Sequence, residues 1–351
     1  MAGVRGRQTS GERGTYADRV TDWDGELNHA RLHVVSGKGG TGKTTVAAAL
    51  ALALATGGHK VLLIEVEGRQ GIAQLFDTAP LPYAEEWIAA APGGGELRAL
   101  AIDAEAALLE YLSMFYNLGF AGRTLRKMGA IEFATTLAPG LRDVLFTGKI
   151  KECVGRTDER GRYVYDAVVV DAPPTGRVVK FLDVTRAMAD LAKVGPIRDH
   201  SDGVVRLLHS SDTAVHLVTL LEELPVRETL EAVAELDAAD LRPGGVVCNR
   251  VRPNRLPARS VAAAASGRVD AERVRAGLAT AGLQVDDETL DGLVHEAVEH
   301  AIRTQTEDDA RAQLADTDLP TVSLPDLTGI DVAELYELAE ILYEHGIRSP
   351  R

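Results

Sequence analysis

Residues 36–45 read SGKGGTGKTT, which fits the phosphate-binding pattern G-x-x-x-x-G-K-[ST]. The apolar run Leu32–Val35 precedes this loop and the alanine-rich stretch Thr44–Thr56 follows it, as a strand and a helix should. Glycines let backbone N–H groups converge on phosphate oxygens, and the start of a helix adds a favourable dipole. The sequence therefore predicts a nucleotide site in which Lys43 reaches the β- and γ-phosphates and the hydroxyl of Thr44 binds Mg²⁺. The residues that fix the pattern are Gly37, Gly42, Lys43 and Thr44.

The same loop also spells G-x-G-x-x-G, the fingerprint of dinucleotide-binding folds. The next apolar run, Val61–Val66, adds Glu65, and Glu67 follows it, so an acid is available for a ribose hydroxyl. A dinucleotide fold, however, has no use for a cation and a metal-binding hydroxyl in the first helical turn. The Lys-Thr-Thr run therefore favours the phosphate-loop interpretation.

Further apolar runs alternate with helical patterns along the chain, which predicts an α/β fold with a doubly wound, mainly parallel sheet of the P-loop NTPase type. Tyr165–Gly176 reads YDAVVVDAPPTG, an apolar run that ends at Asp171. Such a strand-end carboxylate is typical of a second Mg²⁺ position, alongside Thr44. A core strand whose Asp caps a helix is the alternative. The other runs are Val61–Val66, Ala214–Leu220, Gly245–Cys248 and Thr321–Leu324.

The domain organisation follows from where this alternation starts and where it is interrupted. Residues 1–29 mix both charge signs with Gly, Ser and Thr, which predicts a disordered tail, and residues 30–348 then form a single domain. A helical pattern over about 83–151 is too long for a crossover and predicts a helical insertion, with a second stretch at about 190–211. Bulky apolar residues between Leu108 and Phe120 could line a groove for a client or form a small helical core.

Composition and charge exclude several classes of protein. The chain of 351 residues has 38 basic and 52 acidic side chains, a net charge of −14, which disfavours nucleic acid and anionic membranes as partners. Two separate cysteines, Cys153 and Cys248, exclude a disulfide framework and a four-cysteine zinc site. The longest apolar run, Val46–Ala55, is too short to span a bilayer, and the acidic last helix is unsuited to act as a direct membrane anchor. We therefore expect a cytoplasmic protein.

The first lysine of the loop restricts the class of nucleotide-binding protein further. The run KGGTGKT (residues 38–44) resembles the deviant phosphate loop, or deviant Walker A motif, of the ParA, MinD, NifH and arsenical-pump ATPase families. That resemblance implies that Lys38 crosses a dimer interface to the partner's ATP. The segment DAPPTG (171–176) resembles the switch of the ArsA family, which includes the ATPase that escorts tail-anchored membrane proteins. The segments starting at Glu65 and Asp171 are most similar to the actinobacterial, Get-like branch.

The resemblance also implies a set of site residues and cofactors. Lys38, Lys43, Glu67 and Asp171 would be catalytic, with ATP and Mg²⁺ as cofactors. Asn249 in GVVCNR would contact the adenine, and Pro325 in SLP would flank the purine. The residues expected to contact the phosphates are Gly37, Lys38, Gly39, Gly40, Thr41, Gly42, Lys43, Thr44 and Thr45.

Departures from the family leave the function partly open. The chain lacks the CxxC of the tail-anchored escort and the cysteine cluster that binds arsenite. Where the family has a catalytic Asp followed by Pro, this chain has Glu67-Gly68. We expect an ATPase that forms a homodimer, or a heterodimer with a paralogous ATPase, and couples ATP to a protein client. A slowly hydrolysing regulatory subunit within such a heteromer is the alternative. A ParA-like DNA partition ATPase is disfavoured by the charge and the DAPPTG segment.

Overall fold

The computed structural model describes residues 23, 27–116, 140–183, 196–327, 329 and 331–350. The strands are β1 Leu32–Gly37, β2 Lys60–Glu65, β3 Glu86–Ala91, β4 Gly95–Ala101, β5 Ala167–Asp171, β6 Thr213–Thr219, β7 Pro243–Val251 and β8 Thr321–Pro325. The helices are α1 Lys43–Ala55, α2 Gly71–Leu75, α3 Ala104–Tyr116, α4 Leu141–Gly155, α5 Thr175–Leu182, α6 Pro196–Leu208, α7 Glu223–Ala238, α8 Ala258–Ala265, α9 Ala271–Thr280, α10 Asp287–Ala315 and α11 Val332–Glu344.

Within the described residues, eight strands form one sheet in the order β3-β4-β2-β5-β1-β6-β7-β8. Strands β3 and β4 are antiparallel, and every other neighbouring pair is parallel. The central strands are buried on both faces, which explains why they read as continuous apolar runs rather than as alternating ones. The predicted doubly wound α/β sheet of the P-loop type is confirmed.

Helices cover both faces of the sheet. Helix α1 and helix α11 pack on one face, with Val35 and Leu63, whereas α4 to α7 pack on the other, with Val34 and Ile64. Ten consecutive residues of α1, Val46–Ala55, are buried, because the helix lies between the sheet and α11. Small alanine side chains permit this close approach on every side. In the described parts of the chain, every helix is too short or too polar to cross a lipid bilayer.

The expected insertion begins later than the sequence pattern indicates. Residues 86–101, predicted as helical, form the hairpin β3–β4, which turns at Gly93 and Gly94 with φ of 77° and 85°. Alanines favour a helix locally, but here Ala89 and Ala91 are buried in the hydrophobic cluster that includes α1. The hairpin also lies close to α1 at Gly95, where a Cβ would meet the carbonyl oxygen of Ala55 at 1.9 Å. Helices α3, α4 and α6 follow the predicted pattern. Residues 117–139 and 184–195, with Leu118 and Phe120, lie outside the described residues.

The packed fold also begins before residue 30, unlike the predicted tail. The side chain of Trp23 is buried and stacks on His216, with 4.6 Å between ring centroids. The backbone N–H of Trp23 donates to the carbonyl oxygen of His345 (3.1 Å). Residues Leu27–His29 form one turn of 3-10 helix, and Leu27 is buried. A single tryptophan in a polar stretch carries no periodicity, so the sequence pattern did not reveal this anchor.

Candidate functional site

The phosphate loop lies at the carboxyl edge of the parallel sheet, where open α/β folds bind their ligands. It connects β1 to α1, and Asp171 ends the adjacent strand β5 in register with Val35. The hydroxyl of Ser36 donates to the carbonyl oxygen of Pro173 (2.6 Å), which ties the loop to the DAPPTG segment. Thus the two motifs, about 130 residues apart in sequence, are adjacent.

Glycines are required at defined points of this loop. Gly40 and Gly42 have φ of 91° and 86°, in the left-handed region that favours glycine. A Cβ at Gly37 would lie 2.2 Å from the carbonyl oxygen of Val218, whereas one at Gly39 or Gly40 would meet open space. The inner side of the loop therefore packs tightly against β6, and its outer side is accessible to a ligand. A loop whose backbone N–H groups bind phosphates requires this arrangement.

The loop is closed by its own threonine and by an asparagine from β7. The hydroxyl of Thr41 donates to the carbonyl oxygen of Lys38 (2.9 Å). The buried amide of Asn249 donates from Nδ2 to the carbonyl oxygen of Thr41 (2.8 Å), close enough that a Cβ at Gly42 would lie 2.3 Å from that nitrogen. Asn249, which was predicted to contact adenine, thus holds the phosphate loop in place through this hydrogen bond.

Thr44 and Asp171 form the polar centre of the site. The Thr44 hydroxyl donates to Oδ2 of Asp171 (2.7 Å). The other carboxylate oxygen, Oδ1, is buried and has no hydrogen-bond partner among the described residues. A buried carboxylate oxygen without a partner is costly unless a ligand completes it. A hydroxyl beside a carboxylate is the oxygen donor set that Mg²⁺ prefers, so these residues fit the predicted metal position.

The electrostatics around Asp171 support this assignment. Burial raises the pKa of Asp171 to about 6; the Thr44 hydrogen bond and the charge of Lys43 lower it, while Glu65 and Glu67 raise it further. The ionised carboxylate is thus less favourable here than in water, and a bound cation would stabilise it. Lys43 and Thr45 occupy the first turn of α1, half-buried at the loop.

Lys38 has a partner within its own chain. Its Nζ lies 2.8 Å from Oε1 of Glu228 on helix α7, and the two side chains are 28% and 32% exposed. Lys38 therefore lies on the surface side of the phosphate loop, where its side chain can reach a second subunit. The contact across a dimer remains a prediction.

Glu67 lies on the loop between β2 and α2. Its side chain is 20% exposed, and Oε2 lies 3.6 Å from Arg69 Nη2. Gly71, where this loop joins α2, packs against the first turn of α1, since a Cβ there would lie 3.2 Å from Cγ2 of Thr44. The charge of Glu67 acts on the pKa of Asp171, so Glu67 lies near the phosphate site.

Glu65 is the site residue whose contacts the sequence did not predict, because it was weighed only as a ribose ligand. It is buried (2% exposed), and its carboxylate accepts from backbone N–H groups of the Glu67 loop. An acid at the last position of an otherwise apolar buried strand was the available signal.

Pro325 ends β8 beside β7. The N–H of Asp326 donates to the carbonyl oxygen of Val251 (3.0 Å), and Asp326 accepts from Arg250 (3.2 Å) and Arg252 (2.8 Å). These contacts hold the ends of β7 and β8 together, so Asn249 and Pro325 lie on adjacent strands at the same edge.

The chain is similar in sequence to a family of ATPases and to several individual ATPases. The sequence model of the ArsA_ATPase family, described as anion-transporting ATPase, matches residues 30–209, which include the phosphate loop and Asp171. ATPase BagA of Mycobacterium tuberculosis is 59% identical over 327 residues, 93% of this chain and 96% of that protein. The arsenical pump-driving ATPase of Escherichia coli is 25% identical over 248 residues, 66% of this chain and 41% of that protein. ATPase GET3 of Lachancea thermotolerans is 26% identical over 210 residues, 57% of this chain and 58% of that protein.

Proposed function

We propose a function for this chain, which belongs to the ArsA_ATPase family of anion-transporting ATPases and is therefore an ATPase. It binds Mg–ATP at the phosphate loop. Nucleotide binding is coupled to dimerisation and to the binding of a protein client. The observation that carries the site assignment is the Thr44–Asp171 pair at 2.7 Å, in which one buried carboxylate oxygen has no partner in the part of the chain that the structure describes. A structural strand-end aspartate would have both oxygens paired or exposed to solvent.

The roles within the site follow from position and chemistry. Thr44 and Asp171 would hold the Mg²⁺, which when bound neutralises charge developing on the transferred phosphoryl group. Lys43, in the first turn of α1, neutralises the β- and γ-phosphates. Asn249 and Pro325, at the ends of β7 and β8, flank the base.

Glu67 is proposed to orient the attacking water. Its carboxylate lies on a loop that packs against Thr44, and the neighbouring acids raise the pKa of Asp171. Glutamate has the chemistry of the family's aspartate with one more methylene, so its backbone must be held in a compensating position.

Dimerisation is supported by Lys38, which lies partly exposed beside the loop and pairs with Glu228 in the single chain. We propose a homodimer or a heterodimer with a paralogous ATPase, in which Lys38 exchanges this partner for the other subunit's nucleotide. The client site is proposed to involve the insertion that starts at α3; Leu108 itself is buried in the core of this chain and would not contact the client.

A second candidate function is that of a slowly hydrolysing regulatory subunit. It is favoured by Gly68, at φ 66°, in place of the family's proline, because glycine by itself does not fix the backbone that aims Glu67. A turnover of the purified chain at or above about 1 s⁻¹, abolished in Glu67→Gln, would exclude it.

Binding of Mg–ATP to Lys43→Ala, measured by titration calorimetry, tests the site itself. We expect affinity to fall by about 10² or more, because one lysine carries most of the local neutralisation of the phosphates. Lys180→Ala, an exposed lysine on α5, is the matched control. Unchanged affinity in Lys43→Ala would overturn the assignment.

A further inference from the structure

The loop that carries Glu67 adopts an unfavourable backbone. Residues 66–70 connect β2 to α2, and both Gly68 (φ 66°) and Gln70 (φ 58°) are left-handed. Gln70 has a Cβ, so this conformation is unfavourable for it and persists only where surrounding contacts impose it. Specific contacts must therefore hold the loop.

Glu65 supplies two of these contacts from a single buried carboxylate. Its Oε1 accepts from the backbone N–H of Gln70 (2.5 Å), and its Oε2 accepts from the N–H of Ile72 (3.2 Å). Glu65 ends β2, whose neighbour in register on β5 is Asp171. The carboxylate thus links the central sheet to both the strained residue and the first turn of α2, and charge-assisted bonds of this kind are stronger than neutral ones.

The opposite side of the loop is also fixed. The side-chain amide of Gln70 donates to the carbonyl oxygen of Leu81 (3.2 Å) and accepts from its N–H (2.7 Å). A guanidinium N–H of Arg142 donates to the carbonyl oxygen of Val66 (3.2 Å). Together with Gly71 against Thr44, these contacts hold residues both before and after Glu67 in the chain.

We propose that Glu65 is a positioning residue for ATP hydrolysis: it clamps the 66–71 loop and so fixes the direction of the Glu67 carboxylate, the restraint that a proline after the catalytic acid would otherwise provide. This inference rests on the proposed role of Glu67. Since the buried carboxylate acts through backbone N–H groups, it need not contact nucleotide or water.

The clamp can be tested first without nucleotide, by hydrogen exchange. Glu65→Gln keeps the size of the side chain but places an NH₂ group against one of the two N–H donors. We expect the amides of Gln70 and Ile72 to exchange about tenfold faster or more, while β1 and β5 remain protected. Glu96→Gln, on β4, is the matched control. Unchanged exchange at both amides would overturn the proposal.

Turnover then separates positioning from a general structural role. In Glu65→Gln we expect kcat to fall about 10²-fold with KM for ATP unchanged, because misplacement of a catalytic group by about 1 Å costs that much. In a Glu67→Gln background, Glu65→Gln should cause no further loss. An equal loss in both backgrounds, or a rise in KM alone, would show that Glu65 does not act through Glu67.

Failure of the proposed function gives a different result. If Glu67→Gln alone keeps wild-type turnover, the assignment of Glu67 is wrong, whatever the exchange data show. Should Glu65→Gln not fold, Glu65→Asp keeps the buried charge but withdraws the carboxylate from the N–H groups of Gln70 and Ile72. It should show the same selective loss of kcat; a wild-type kcat in Glu65→Asp would overturn the inference.

Discussion

Two buried polar clusters lie along strand β1, and they differ in how completely their atoms are paired. In the first, His33 on β1 and His216 on β6 join through Nδ1 and Nε2 at 3.0 Å. The N–H of Gly245 donates to Nδ1 of His216 (3.1 Å), and Nε2 of His33 lies 3.0 Å from the carbonyl oxygen of Ala30. In the second cluster, Asp171 accepts from Thr44 but leaves Oδ1 without a partner among the described residues.

The pairing of the histidines fixes their protons. Because Gly245 must donate, His216 carries its proton on Nε2 and donates to Nδ1 of His33, which in turn donates from Nε2 to Ala30. Both rings are therefore neutral, and Trp23 covers one of them. The indole Nε1 of Trp23 also lacks a partner among the described residues, but a neutral donor costs far less to bury than a carboxylate.

The difference separates structure from function. A network whose ring nitrogens are all paired joins β7, β6 and β1 and needs no ligand. A buried carboxylate at the ligand-binding edge, with one oxygen that no described residue pairs, is stable only at a cost, which a bound cation would remove. Substitutions in the two clusters should therefore have opposite effects on activity and stability.

The largest effect is expected for Asp171→Asn. ATPase activity should fall by about 10²–10³, because the charge that would hold the metal is lost. The raised pKa means that the wild-type fold loses stability as pH rises from the ordinary value of 3.8 through about 6. Above pH 6 the variant should therefore unfold at an equal or higher temperature. Its free energy of unfolding should rise by up to about 1–3 kcal/mol.

A lower melting temperature together with normal activity would reverse the assignment of Asp171. Thermal unfolding and ATPase rates of the same preparations, at pH 5 and pH 8, check both halves of this prediction.

His216→Ala should show the opposite pattern. It leaves a cavity beside Trp23 and unpairs both Gly245 N–H and His33, so we expect a loss of about 2–4 kcal/mol of stability. Affinity for Mg–ATP in the folded protein should be unchanged. Denaturant unfolding and calorimetry measure the two quantities, and an affinity loss without destabilisation would contradict a purely structural role.

The pH dependence of stability should be dominated on the acid side by these histidines. Burial lowers the pKa of His33 to about 4 and that of His216 well below its ordinary 6.5, so the unfolded chain binds protons first as pH falls. The contribution of the histidines to stability should be complete above pH 6.5 and decline below it by up to about 1.4 kcal/mol per pH unit for each ring. The decline from His33 ends near pH 4, and that from His216 continues to lower pH.

Replacing the exposed His209 with glutamine serves as the control for that titration. A stability that is flat between pH 6.5 and 4.5 in the wild type would show that the rings are not held neutral.

The smallest change in the free chain is expected for Lys38→Ala. Its partly exposed pair with Glu228 contributes about 0–1 kcal/mol, so stability and ATP binding should barely change. Dimer formation with a non-hydrolysable ATP analogue should weaken, whereas Glu228→Gln should strengthen it by releasing Lys38. Sedimentation of each variant with the analogue measures dimer formation, with Lys180→Ala as control. Normal dimerisation of Lys38→Ala would mean that Lys38 is only a surface lysine.

Much of the fold was predictable because its signals are local. The apolar runs and the glycine loop predicted the parallel sheet, and the structure confirms it. The hairpin β3–β4 was missed because alanines favour a helix locally, whereas here Ala89 and Ala91 are buried in the hydrophobic cluster that includes α1. Trp23 was missed because its partner, His216, is nearly two hundred residues away.

By itself the sequence determined the class of this protein: Gly37, Gly42, Lys43 and Thr44, placed between a strand and a helix, are a contiguous pattern whose chemistry is readable without coordinates. Only the tertiary structure decided which acids complete the site. In the folded chain Thr44 donates a hydrogen bond to Asp171, and Glu65 accepts one from the loop that carries Glu67. Lys38 forms an ion pair with Glu228. The physical reason is that burial and pairing depend on how strands and loops meet in space, which residue type and spacing do not specify.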